Sequence, residues 1–176
     1  GYDYVLAGHI HSSATRKTFG NTVFAYSGSP VSISSNETGK REAWLLETGE
    51  GLETKELDTE YYLREKKEVL PGEEDEVTEE IRQDLKDKDL DKASVIVEVE
   101  GFTEEKVEEF SEEVQDRVEG LGPADVDVEV LGLESASSVM DSEIYREFRR
   151  KMEEKDFGNP DLVEKKFLRG LSRYER

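Results

Sequence analysis

Cysteine is absent from the sequence, which excludes disulfides and thiolate metal centres and leaves nothing that points to secretion; the cytoplasm is the default location. No stretch approaches the roughly 18 apolar residues of a membrane span, so no membrane partner is expected. Cationic side chains are scarce: 24 Lys and Arg stand against 44 Asp and Glu, a net charge of −20. At face value this opposes nucleic-acid binding, which rests on Lys and Arg displacing counterions. A second reading is adaptation to a salty cytoplasm, where an acidic surface keeps a protein dispersed and 1 M salt screens repulsion within about 3 Å. Acid is spread along the whole chain rather than gathered in a tail, which favours the salt reading, and under it the net charge says little about DNA. A start at Gly1-Tyr2 rather than Met, directly against a strand-like stretch, looks like a cut sequence.

Only 34% of the residues are hydrophobic, a fraction that permits disorder, yet they fall in periodic blocks, which argues for a folded chain. At 176 residues the chain can form one domain or two small ones. Residues 1–60 read as strands and turns: Tyr4-Val5-Leu6-Ala7, then Thr22 to Tyr26 closed by Ser27-Gly28-Ser29-Pro30, then a hairpin of Ala43 to Leu46 and Leu52 to Leu57 around Thr48-Gly49-Glu50-Gly51. Their continuous apolar runs predict strands covered on both faces. Residues 61–92 are charged and read as a connector with one helix marked by Val77, Ile81 and Leu85. Residues 93–133 hold alternating Val95, Val97, Val99 and Val126, Val128, Val130 around a helical stripe of Val107, Phe110, Val114, Val118 and Leu121. This predicts a β-α-β module whose helix is capped by Thr103 and ends at Gly120. Residues 134–176 read as two helices. Met140, Ile144, Phe148 and Met152 line the first, with Ser138 and Asp141 as a capping box. Val163, Phe167, Leu171 and Tyr174 line the second, which opens at Asn159-Pro160. The fold class is α/β.

Both histidines of the chain sit together in Gly8-His9-Ile10-His11, directly after a buried-type strand. Imidazole ligates Mn, Fe or Zn through one ring nitrogen, and two rings placed two residues apart can each reach a cation. The glycine before them lets backbone approach a site closely. Other candidates carry less chemistry. Ser29 beside Gly28 has no base in reach by sequence and reads as a turn residue. The runs Glu73-Glu74-Asp75-Glu76 and Glu104-Glu105 lack a cation-loop pattern and read as solvated surface. Arg146, Arg149, Arg150 and Lys151 read as the wet face of a helix.

Tyr4 to His11 followed by Val23 to Pro30 resembles the last motif of calcineurin-like metallophosphoesterases, most closely the Mre11/SbcD-type DNA-repair nucleases. There a Gly-His-x-His strand end is followed by a strand and a Tyr-x-Gly-Ser-Pro turn. The resemblance covers residues 1–60. It implies that these are the C-terminal strands of a metallophosphoesterase sandwich, that 61–92 is a connector and that 93–133, an α+β unit, is a capping domain. The likeness of the capping domain rests on element order alone. The resemblance also implies a centre of two divalent ions, usually Mn²⁺, with His9 and His11 on different ions and every other ligand upstream of Gly1. The activity implied is hydrolysis of DNA phosphodiesters in break repair, catalytically dead in this chain alone because His9 and His11 are only two of the metal ligands such a centre needs and no catalytic residue is assigned here. Residues 134–176 would then dock onto the coiled coil of a Rad50/SbcC-type ATPase through Met140, Ile144, Phe148, Met152, Phe167 and Leu171. The bland alternative is that these helices pack on each other and on the cap. A homodimer would form through upstream sequence. Two other functions compete: a phosphoesterase acting on small phosphodiesters or nucleotides, and a non-catalytic adaptor for a coiled-coil partner.

Overall fold

The computed structural model describes residues 1–11, 14–130, 133–155 and 157–172, which form a mixed α/β chain. It divides into two compact units, one of Gly1–Arg64, Asp89–Val95 and Pro123–Asp125, the other of Glu65–Lys88, Ile96–Gly122 and Val126–Arg176. Among the described residues no helix is long and apolar enough to cross a membrane.

The first unit begins with β1 (Tyr4–Ala7), β2 (Thr15–Phe19) and β3 (Thr22–Tyr26), a sheet in the order β1-β3-β2. β3 pairs parallel to β1, with Ala7 opposite Tyr26, and antiparallel to β2, with Phe19 opposite Thr22. Only Gly20 and Asn21 join β2 to β3, and Gly20 lies at φ +59, the left-handed conformation that tight hairpins need. The Gly-Asn pair was the available signal for β2, a strand the periodicity missed because all five of its residues are exposed. The hairpin of β4 (Glu42–Glu47) and β5 (Gly51–Glu56) is antiparallel, as its turn residues predicted. The strand faces expected to be covered are partly open within this chain, with Leu6 56% and Leu46 40% exposed.

Three strands, β6 (Tyr61–Val69), β7 (Ala93–Thr103) and β8 (Asp125–Glu129), lie in the order β6-β7-β8, and β9 (Leu133–Ser135) pairs parallel to β7. β6 stands where a charged connector was expected. Its charges are paired: Lys67 meets Asp84 at 2.6 Å, Lys66 meets Glu100 at 2.9 Å, and Glu65 pairs with Lys88. β7 is a central strand, and Val95, Ile96 and Val97 are buried in succession. Val126, Val128 and Val130 are only half-buried, so the second valine series lacks the fully buried face predicted for it.

In the second unit α1 (Glu74–Lys86) and α2 (Val107–Glu119) pack together, burying Val77, Ile81 and Leu85 on one and Phe110, Val114 and Val118 on the other. Each such side chain contributes about 1.5–3 kcal/mol on leaving water. Gly120 ends α2 as expected, but Thr103 does not cap it. Its hydroxyl is buried at the end of β7, donates to Glu74 Oε1 at 3.1 Å and accepts from the Glu105 N–H at 3.1 Å.

The first tail helix is two pieces, α3 (Ala136–Met140) and α4 (Glu143–Glu154). The break falls where Ser142 caps α4 by accepting from the Tyr145 N–H, so Ser138 and Asp141 form no capping box. Asn159 caps α5 (Pro160–Ser172), its Oδ1 accepting from the Leu162 N–H at 3.1 Å. Tyr174, read as part of its apolar stripe, lies outside the described residues.

Candidate functional site

β1 and β3 run parallel and in register, so the segments that follow them leave the same edge of the sheet. Ligands of α/β proteins are commonly held at the carboxyl ends of parallel strands. After β1 comes Gly8-His9-Ile10-His11, and after β3 comes Ser27-Gly28-Ser29-Pro30. The two segments meet: Ser29 Oγ lies 2.9 Å from His11 Nδ1, across 18 residues of sequence. Ser29 is 6% exposed, whereas both imidazoles are exposed. The hydrogen-bond partner that sequence spacing did not supply to Ser29 is therefore His11.

His9 is at φ +81, the one non-glycine residue with positive φ among those described. A left-handed conformation at a residue with a Cβ costs about 1–2 kcal/mol and persists where the surroundings impose it, most often at functional sites. Both ends of the facing turn are held from elsewhere in the unit. The Trp44 indole N–H donates to the Tyr26 carbonyl at 2.7 Å, and the Thr59 hydroxyl donates to the Pro30 carbonyl at 2.9 Å. Gly28, at φ +72, makes the turn between them. Beside the histidine segment Ile10, Phe19, Phe24 and Tyr26 line an apolar hollow, with the Phe24 and Tyr26 rings edge to face at 5.0 Å.

His9 and His11 are donors of the kind that suits Mn, Fe or Zn. Their number falls short, because even open catalytic centres of zinc use three protein ligands. Among the described residues no three His, Cys, Asp or Glu side chains gather as a metal site. The donor chemistry fits a divalent transition metal; a complete centre needs ligands beyond these.

The six tail residues named as partner anchors divide. Phe148 and Phe167 stack on each other at 4.0 Å with rings 8° from parallel, and both pack against a buried cluster of Leu70, Phe102, Val139, Tyr145, Leu168 and Leu171. Leu171 is thus used internally. Tyr145 and Leu168, which the stripes omitted, are more buried than Phe148 or Phe167. Met140 at 37% and Ile144 at 49% exposure lie outside this core, and Met152 is half-buried.

No protein-family model matches the sequence, and a search of curated proteins finds no match.

Proposed function

We propose that this chain contributes two imidazole ligands, His9 and His11, to the two-metal centre of a phosphodiesterase of the Mre11/SbcD-type nuclease class, the other ligands coming from sequence outside it. The observation that carries this reading is the His-x-His pair at the carboxyl end of β1, with His9 held at φ +81 and His11 engaged through Nδ1 by Ser29 of the adjoining turn. An imidazole whose Nδ1 is engaged has only Nε2 left for a cation, which is how ligating histidines are commonly oriented. When bound, a pair of divalent ions would supply a water of lowered pKa and stabilise both oxygens of an in-line phosphodiester displacement. The chain's own share is to hold the rings at fixed places on one sheet edge. The exposed Ile10 and the hollow beside it offer an apolar surface next to the reacting centre.

DNA as substrate and a coiled-coil ATPase as partner follow from the resemblance. Leu171 is buried and Phe148 and Phe167 are partly buried in the second unit, so the anchors we favour for that ATPase are the exposed Met140 and Ile144. The test is hydrolysis of a simple phosphodiester and of linear duplex DNA by the full-length protein with Mn²⁺. His9→Ala and His11→Ala should each abolish both activities. Retention of both by either variant overturns the proposal, and loss on the simple diester with no wild-type activity on DNA replaces the nuclease by an enzyme of small phosphodiesters.

A further inference from the structure

Ser29 is the buried member of a pair whose other member is exposed, and the contact is made through one ring nitrogen of His11 only. We infer that Ser29 is a positioning residue for the proposed centre. Its oxygen accepts a hydrogen bond from His11 Nδ1–H, which reserves the ring's proton for Nδ1 and leaves the Nε2 lone pair free for a cation. The inference rests on the function proposed above, and its direction can be wrong while that function is right.

The geometry supports an anchor on the serine side. Ser29 follows Gly28, whose φ of +72 sets the turn, and the carbonyls flanking that turn are fixed by Trp44 and Thr59. The hydroxyl therefore presents itself to the ring from a backbone held at two points, while the imidazole itself is exposed. A neutral hydrogen bond of ordinary strength shifts a two-state ratio about fivefold. That is enough to select one tautomer of a ring whose two neutral forms are close in energy, and enough to hold the ring plane against rotation about χ2. Had the proton been placed on Nε2, Ser29 would be the donor and the pair would be a hydroxyl with a base, a nucleophile arrangement with no lone pair aimed outward. The two assignments put the ring proton on different nitrogens, so they can be told apart directly.

The chain has only two histidines, which makes the measurement simple. Ring ¹⁵N shifts of the 176-residue chain, recorded where imidazole is neutral and assigned with His9→Gln, report which nitrogen carries the proton. The expected result is Nδ1–H for His11 in the wild type, a shift of several-fold toward Nε2–H in Ser29→Ala, and restoration in Ser29→Thr, which keeps the hydroxyl. A wild-type His11 with its proton on Nε2, or a ratio unmoved by Ser29→Ala, overturns the inference, and the wild-type spectrum alone decides if a variant does not fold. Mn²⁺ alone is then added as a relaxation probe, sensitive even to the weak binding of two ligands. It should broaden the rings of both histidines before other signals, and in Ser29→Ala the broadening at His11 should need several-fold more Mn²⁺. Broadening of both rings with no Ser29 dependence sinks the positioning role and spares the metal reading. No broadening in the wild type sinks the metal reading, and the positioning role toward a cation with it, whatever the tautomer.

Discussion

Replacing Gly101 by alanine tests the packing of the second unit where two backbones approach too closely for a side chain. Gly101 lies in β7 opposite Leu133 of β9, at φ +116, a conformation that essentially only glycine adopts. A Cβ built there falls 2.1 Å from the Val69 carbonyl oxygen and 3.2 Å from that residue's carbonyl carbon and nitrogen. The obstacle is the backbone of a fully buried residue, so no side chain can swing aside. Backbone strain of about 1–3 kcal/mol and overpacking of about 1–3 kcal/mol sum to about 2–6 kcal/mol. That is a large part of the roughly 5–15 kcal/mol that holds a typical domain together. With a urea slope of about 1–3 kcal/mol/M, the unfolding midpoint should fall by about 1 M or more. Among the described residues all five helices belong to the second unit, whereas the single tryptophan, Trp44, belongs to the first. Far-ultraviolet circular dichroism therefore follows the unit that carries the change, and tryptophan fluorescence follows the other. A Gly101→Ala variant within about 0.5 kcal/mol of wild type by circular dichroism, the ordinary range of an innocuous surface change, would refute the reasoning.

Three further outcomes follow from single contacts. His9→Gly relieves a left-handed backbone, and should raise the stability read by Trp44 fluorescence by up to about 1 kcal/mol, while His9→Ala gains nothing because the strain remains; both should lose cation binding. Ser142→Ala removes the cap of α4 and should cost about 1 kcal/mol in chemical denaturation, against under about 0.5 kcal/mol for Ser138→Ala at an exposed position that caps nothing. Burial, and then the hydrogen bond to Glu164, push the Tyr145 phenol up to about 12 from 10.0. The folded-state value is the higher one, so the stabilisation is present in full below pH 10 and is lost as pH rises from 10 toward 12. Tyr145→Phe should shrink the stability loss across that window, and its difference from wild type in tyrosinate absorbance should have a midpoint near 12.

Much of the architecture was legible because it repeats. Val77, Ile81 and Leu85, and likewise Phe110, Val114 and Val118, recur at helical spacing and are buried on α1 and α2. The runs at Tyr4–Ala7 and Thr22–Tyr26 are strands at the stated residues. What escaped was structure whose stability comes from partners distant in sequence. β6 carries Glu65, Lys66 and Lys67, which look solvated until Lys88, Glu100 and Asp84 supply opposite charges. β2 has no buried residue to betray it. Ser138 reads as the opening of the first tail helix, and only geometry shows that Ser142 receives the N–H. The site divides in the same way. Two histidines two residues apart are visible in any reading of the chain, but Ser29 joins them only because β1 and β3 are parallel neighbours, a pairing no local pattern encodes.

The central claim is that both rings are metal ligands, and crystals of the full-length protein grown with Mn²⁺ test it most directly. Anomalous scattering should locate two cations about 3.5–4 Å apart, one bound by Nε2 of His9 and the other by Nε2 of His11. Rings of His9 and His11 that stand free of any cation in those crystals would contradict it.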